Sequence, residues 1–389
     1  MRMDERREMA AARRLAPMIA AAAGRSERER ELPADLVDAL HEAGLFRLLL
    51  PKTLEGAELA PAEFVRVIET LARADAATAW CVCQTAGCSL SAGYLAPGAA
   101  REVFGPPRAV LAWGAGAAGK AEKVAGGYRV NGKWGFASGS RHATWLGGHC
   151  RVILPDGGAA RDETGALIER TMLFPRELAR IEDNWRVIGL RGTGSDSYEV
   201  SDLFVPDHLT LSRDVNAEIL HPAPLYRFNT NHIYACGFAS VALGLAQAMM
   251  ADFLALAVKK TPREGQARLA ESASVQGETG RLHARIEAAR SFIAASLEDG
   301  MAEIVATGGL GLDQRMTIRA SASHALAEAR EVTVALYHAA GVNAIFDGSP
   351  FERRFRDSFA VSQQVQARSN HFETVGRHLL GLPPDLTFA

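Results

Sequence analysis

Residues 126–139, Gly-Gly-Tyr-Arg-Val-Asn-Gly-Lys-Trp-Gly-Phe-Ala-Ser-Gly, limit how this chain can fold more than any other stretch. Residues 128–130 and 133–136 flank Asn131-Gly132, a dipeptide that suits a tight two-residue turn. The pattern predicts a β-hairpin ending in a small polar cluster. The chain on either side of it reads as helical. The fold must therefore hold a β-island between two helical regions.

The helical reading rests on spacing and on end signals. Residues 5–23 are rich in Ala, Arg and Met, which favour helix. Pro33 lies near the first turn of a second helix, with Leu36, Leu40 and Leu45 on its apolar side and Gly44 at its end. Pro61 opens a third, with Phe64, Val67, Ile68 and Leu71 at i, i+3, i+4 and i+7. Residues 76–90 are apolar all round, which predicts a buried helix. From Arg108 the period changes to two. Strands are expected at 109–113, 144–151, 170–174, 185–190 and 197–205, besides the hairpin. Helices return near Ile233. Residues 239–258, the series Leu282, Ile286, Ala289, Phe292, Ile293 and Leu297, residues 318–339 and residues 356–380 predict a bundle of four or five helices. The expected fold is α+β: an N-terminal helical domain over 1–107, a small antiparallel barrel or sandwich over 108–212, and a C-terminal bundle over 213–389.

Composition excludes several functions. The 389 residues carry a formal net charge of −2, so no basic field is available for nucleic acid. The cluster Arg2, Arg6, Arg7, Arg13 and Arg14 is interrupted by acids and reads as a solvated helix face. Five scattered cysteines (Cys81, Cys83, Cys88, Cys150, Cys236) lack zinc-ligand spacing and read as reduced, buried thiols. The start is charged from Asp4, unlike a signal peptide, and no apolar run is read as approaching the roughly 18 residues that span a bilayer. A cytoplasmic protein is expected. Gly114-Ala-Gly116-Ala-Ala-Gly119 spells the dinucleotide fingerprint, but that motif binds a dinucleotide only where it opens a helix in a βαβ unit. Here a hairpin follows, so a loop at a strand end is expected.

Helices, a β-barrel and a helical bundle, in that order, resemble the acyl-CoA dehydrogenase fold. Three motifs carry the resemblance: 127–138 (Gly-Tyr-Arg-Val-Asn-Gly-Lys-Trp-Gly-Phe-Ala-Ser), 189–195 (Gly-Leu-Arg-Gly-Thr-Gly-Ser) with a strand ending Phe204-Val-Pro206, and Glu352-Arg-Arg-Phe-Arg-Asp357. Gly341 and residues 32–51 add to it, and the resemblance covers essentially the whole chain. Classical members use a buried carboxylate to remove an α-proton from a thioester. The two positions where that glutamate occurs fall on Val365 and near Tyr234 or Ala235, and none is an acid. The Thr-Glu-Pro loop of the dehydrogenases is also missing.

The chain more closely resembles the two-component flavin monooxygenases of the same superfamily. The resemblance implies reduced FMN or FAD supplied by a separate flavin reductase, reaction with O2 through a flavin C4a-hydroperoxide, and transfer of one oxygen atom to an aromatic or polycyclic small molecule. It also implies a homotetramer. Ser138 matches a serine near flavin N5. Phe136 and Ala137 match the wall of the ring site, and Trp113 is expected near flavin or substrate. Arg191 is a candidate for the flavin phosphate. Arg263 and Gln276 are candidates for contacts to a neighbouring subunit's flavin. The family's usual histidine on the C-terminal helix corresponds to Gln364, preceded by Gln363; an amide can hold a peroxide but cannot relay a proton near neutrality. On a continuous helix His371 would lie about two turns beyond. His142, His149, Tyr234 and His371 are the candidate substrate contacts. The alternatives are a dehydrogenase-like flavoenzyme acting on a CoA thioester and an inactive oligomeric scaffold.

Overall fold

The computed structural model describes residues 6–212, 219–263 and 265–388. Five helices come first: α1 (Arg7–Glu29), α2 (Ala34–Glu42), α3 (Pro61–Ala74), α4 (Ala76–Ser89) and α5 (Pro97–Phe104). Asp75 divides α3 from α4. Its extended backbone ends α3, and its carboxylate accepts from the Thr78 N–H at 2.8 Å to cap α4. Every residue of α4 is buried, as its uniformly apolar sequence predicts.

Eight strands follow: β1 (Leu111–Trp113), β2 (Gly119–Val124), β3 (Gly127–Trp134), β4 (Trp145–Ile153), β5 (Glu169–Pro175), β6 (Arg180–Glu182), β7 (Ser197–Pro206) and β8 (Thr210–Leu211). They form one open mixed sheet in the order β6-β7-β3-β2-β4-β5-β8, with β1 also paired to β4. The expected antiparallel barrel is thus corrected. β1 and β2 run parallel to successive halves of β4, and the sheet does not close. The glycine-rich loop 114–118 joins these two pieces, and Gly119 opens a strand, not a helix.

The hairpin is real but its turn lies elsewhere. β2 and β3 pair up to Val124 and Gly127, so the turn is Ala125-Gly126, with Gly126 at φ +76°. Asn131 and Gly132 lie inside β3, at a register shift against β7. Gly132 does not adopt positive φ, and the Asn131 side chain accepts from the Asp202 N–H at 2.8 Å. Gly132 serves a packing role instead. A Cβ there would lie 2.5 Å from the Trp134 indole, and Cβ atoms at Gly119 and Gly148 would lie 2.4 and 2.7 Å from it. Three adjacent strands thus omit a side chain to seat one ring, whose Nε1 donates to His149 O at 2.9 Å.

The strand expected at 185–190 is absent. Those residues form a loop whose backbone is held by side chains. Asp196 accepts from the Asn184 and Trp185 N–H groups, Arg356 donates to Ile188 O, and Asp357 accepts from the Leu190 N–H at 2.6 Å.

The C-terminal helices are α6 (Thr230–Ala257), α7 (Ala273–Thr307), α8 (Leu312–Ala340), α9 (Pro350–Ser362) and α10 (Asn370–Leu379). α6 packs against α3, α4, α8 and α9, and α8 also against α7. By length and hydropathy α6 is able to cross a membrane, which corrects the reading that no apolar run is long enough; 67% of its most apolar window is buried within the protein. The single helix expected over 356–380 is broken. Gln364 adopts extended backbone (φ −75°, ψ 161°), and its side-chain oxygen accepts from the Gln366 N–H at 2.6 Å. That local bond replaces a helical one.

Candidate active site

Ser138 follows the end of β3, past Phe136, whose backbone is left-handed at φ +61°. This strained residue turns the chain inward. Phe136 itself is 70% exposed and meets Trp185 edge-on, with ring centroids 6.0 Å apart. Ala137 is fully buried, and its N–H donates to Asp196 O. Ser138 is buried beneath them. Its Oγ accepts from Trp80 Nε1 at 3.0 Å and shares a hydrogen bond with Ser195 Oγ at 2.6 Å. Ser195 in turn bonds Thr193 Oγ1 at 2.7 Å, and Thr193 donates to Leu190 O at 2.8 Å. The motifs at 127–138 and 189–195 therefore meet through hydroxyl groups.

Trp80, on α4, also starts an aromatic stack. Its ring lies 3.9 Å from Phe238 at an interplanar angle of 10°, and Phe238 lies 5.3 Å from Tyr234 at 2°. Tyr234 thus belongs to the same wall as the Ser138 partner. Gly87 is what lets α6 come this close to α4, because a Cβ there would lie 2.2 Å from the Tyr234 ring. Gly87→Ala is expected to push Tyr234 out of the stack and to cost about 1–3 kcal/mol. Chemical denaturation measures it, and an unchanged midpoint would contradict the packing argument.

The other candidate residues are more dispersed. Trp113 is buried on β1 and meets the His149 ring edge-on at 5.0 Å; His149 Nδ1 bonds Thr171 Oγ1 at 2.8 Å. These two form a separate pair within the sheet. His142 lies 5.3 Å from Phe46, and its Nε2 is buried with no hydrogen-bond partner. Burial, helped by His41 and Arg176, pushes its imidazole down to about 4, so the ring is neutral near pH 7. Arg191 opens the short turn 191–193, and its Nε is likewise buried and unpartnered. Arg263 and Gln276 are both exposed, beyond the end of α6 and in the first turn of α7; Gln276 donates to Ala270 O. No contact joins them to Ser138.

Gln363 is exposed at the end of α9. Gln364 is half-buried. Its oxygen is spent on the Gln366 N–H, and its Nε2 is buried without a partner. His371 is buried, and its Nε2–H donates to Val365 O at 2.8 Å. The expectation that His371 lies two turns away is corrected: the break at Gln364 folds α10 back, so His371 contacts the residue next to Gln364. Burial holds its imidazole below the usual range.

Sequence reasoning missed Trp80, because an apolar helix gives no sign that one indole N–H points at a serine. It also gave Asp357 no specific partner. Thr193 and Ser195 were present in a quoted motif, but only the fold aligns their hydroxyls with Ser138.

Arg191 Nε and Gln364 Nε2, two among several buried side-chain donors left without an acceptor, would suit a cofactor rich in phosphate and carbonyl oxygens. The fold and this site define a member of the acyl-CoA dehydrogenase superfamily. The models of the acyl-CoA dehydrogenase N-terminal and C-terminal domains match residues 3–96 and 236–368, and the chain belongs to that superfamily. Its relatives there are flavin-dependent monooxygenases. The chain is 29% identical over 365 residues to the indole-3-acetate monooxygenase of Pseudomonas putida, covering 93% of this chain and 90% of that one. It is 29% identical over 367 residues to the oxygenase subunit HsaA, a flavin-dependent monooxygenase of Rhodococcus jostii, covering 89% and 91%. Among solved structures it is similar to XiaF from Streptomyces in complex with FADH2 and glycerol, with a TM-score of 0.90, 27% identity and coverage of 97% and 96%.

Proposed function

We propose that this chain is the oxygenase component of a two-component flavin-dependent monooxygenase that oxygenates an aromatic or polycyclic small molecule. The observation that carries the reading is Ser138. It is a buried hydroxyl placed by a strained turn and tied to the aromatic stack through Trp80, and among the described residues its hydroxyl partners Ser195 and Thr193 bond no carboxylate. The positions that hold the base in acyl-CoA dehydrogenases are here Val365, Tyr234 and Ala235.

Reduced FMN or FAD, delivered by a separate reductase, would supply the activation of O2 when bound. Ser138 would hold the ring edge, with Phe136 and Ala137 beside it and the unpartnered Arg191 Nε available to phosphate. The stacked Trp80, Phe238 and Tyr234 rings would keep water from this side, and so limit wasteful release of hydrogen peroxide. Gln364 presents a free N–H to a polar oxygen but moves no proton, so the reading favours a substrate that needs no base. Gln363, exposed beside it, supports the end of α9. His142, His149 and His371 are the remaining candidates for substrate contact; neutral His142 keeps an unused Nε2. Exposed Arg263 and Gln276 would meet the flavin of a neighbouring subunit in a homotetramer. The exposed apolar residues Val342, Ile345, Phe346, Leu379 and Leu380 are consistent with further burial on assembly. A cytoplasmic protein with divisions near 107 and 212 fits the same reading.

Rapid mixing tests it. The protein loaded anaerobically with reduced FMN or FAD should show a transient near-ultraviolet absorbance band before reoxidation when mixed with oxygen. Ser138→Ala should shorten the lifetime of that band by about tenfold, the loss of roughly one hydrogen bond. Immediate reoxidation of the wild type, without a transient, would defeat the proposal. Anaerobic bleaching of an oxidised flavin by an acyl-CoA would point to a thioester dehydrogenase instead.

A further inference from the structure

We propose that His232 and Arg319 form a buried binding site for one compact, singly charged anion at the start of α6. The site is separate from the flavin reading and does not depend on it.

Arg319, on α8, is a buried cation with no acid to balance it. The residue is 1% exposed. Its guanidinium donates to Gln366 Oε1 at 2.7 Å and to Phe388 O, and both acceptors are neutral. Its Nε is buried without a partner, and among the described residues no carboxylate bonds the group. Burial pulls the guanidinium down to about 10, so it keeps its charge near pH 7. A charge taken out of water without a counter-charge is costly.

His232 is the second anomaly. Its ring is 1% exposed in the first turn of α6, and neither Nδ1 nor Nε2 has a partner. Burial, helped by the charges of Arg319 and Arg315, pushes the imidazole down to about 3, so the ring is neutral near pH 7. Whichever nitrogen carries the proton, its N–H is an unused donor.

The fold brings these two side chains together. α6 packs along α8. Residues 387 and 388 then bridge the two helices. Asn231, next to His232, donates to Thr387 O at 3.2 Å, and Arg319 donates to Phe388 O. The acid of that segment, Asp385, is exposed and accepts from the Thr387 N–H and hydroxyl. The first turn of α6 adds the positive end of a 28-residue helix. Guanidinium, imidazole N–H and helix end thus all favour negative charge. Full burial of both side chains favours a compact occupant, a halide ion or a single carboxylate group, over a divalent anion such as sulfate.

The site lies behind the aromatic wall. Residues 232 and 236 share one face of α6, and the stacked Tyr234 and Phe238 lie about half a turn around it. Arg319 also holds Gln366, whose N–H is held by Gln364. An occupied site therefore secures the turn that carries Gln364.

The test uses the whole protein exchanged into sodium sulfate buffer. Sodium chloride, sodium bromide or sodium acetate then replaces sulfate at constant ionic strength, and the thermal midpoint is read. The midpoint should rise along the curve of a single site. A rise with chloride and bromide identifies a halide site, and a rise with acetate alone identifies a carboxylate site. Arg319→Met removes the charge and should abolish the response. His232→Leu removes one donor and should raise the anion concentration needed by about tenfold. It decides the matter if Arg319→Met does not fold. A wild type that responds to none of the three anions overturns the proposal, as does a response that His232→Leu leaves unchanged. Bromide seen between His232 and Arg319 in soaked crystals, without a response in solution, is an adventitious ion only and overturns it as well.

Discussion

Replacing Trp134 with alanine should lower unfolding stability by about 3–5 kcal/mol. The indole is fully buried in the sheet, stacks on Tyr198 at 5.3 Å and donates to His149 O. Its neighbours on three strands are glycines, at 119, 132 and 148. None has a side chain to fall into the hole, so the cavity cannot collapse. Loss of the hydrogen bond to His149 O adds to the cost. Trp134→Phe should lose less, because it keeps most of the volume. Urea unfolding monitored by circular dichroism measures both. A loss below about 1 kcal/mol for the alanine variant would show that the glycine socket closes on itself.

Asp357 gives the second large effect, and its sign depends on the substitution. Burial, joined by the nearby charge of Asp75, pushes its carboxyl up to about 7 despite the Leu190 N–H that it accepts. The folded-state value is thus above the unfolded one. Folded protein holds this proton where unfolded protein has released it, so stability from this group falls as pH rises from about 4 to about 7 and is level above that. Asp357→Asn keeps an oxygen for the Leu190 N–H and removes the charge. It should be close to neutral near pH 4, already stabilising at pH 5 and more so at pH 8. Asp357→Ala also removes the charge but leaves the Leu190 N–H unpaired in a buried site, so it should be less stable than Asp357→Asn at pH 5 and pH 8 alike, by about 1–3 kcal/mol. His142 and His41, each pushed down to about 4, act in the opposite sense between pH 4 and 6.5. The measurement is therefore the difference between wild type and Asp357→Asn at each pH. A difference that does not grow with pH would mean that the carboxyl is ionised throughout.

How much of this could be read from sequence depends on whether the cause was local. The helices from Pro61 and from Ala76 were legible because the apolar pattern that marks each is local. The β-island and the order of the three segments were legible for the same reason. Asn131-Gly132 misled because a turn dipeptide and a packing glycine look alike in sequence; only the Trp134 ring across the sheet tells them apart. Residues 185–190 have strand composition, yet their partners are Arg356, Asp357 and Asp196, most of them distant in the chain. The break at Gln364 has no Gly or Pro to announce it; one side-chain hydrogen bond makes it. In the candidate site, Ser138 was singled out by its motif. Trp80 and the alignment of the Ser195 hydroxyl with Ser138 were not, since both arise from contacts between segments more than 50 residues apart.

The complete burial of α4 bears on how the chain reaches its native state. A 14-residue helix with no solvent face gains little by forming alone. Its cover comes from α3 on one side of the sequence, and from β1, the turn at 191–193 and α6 on the other. The contacts with α6 span more than 140 residues, so they close late. The first 107 residues, expressed alone, should be a loosely ordered and aggregation-prone intermediate. The wall of the candidate site would then be among the last parts of the molecule to assemble, and loss of the Trp80 signal among the first signs of its unfolding.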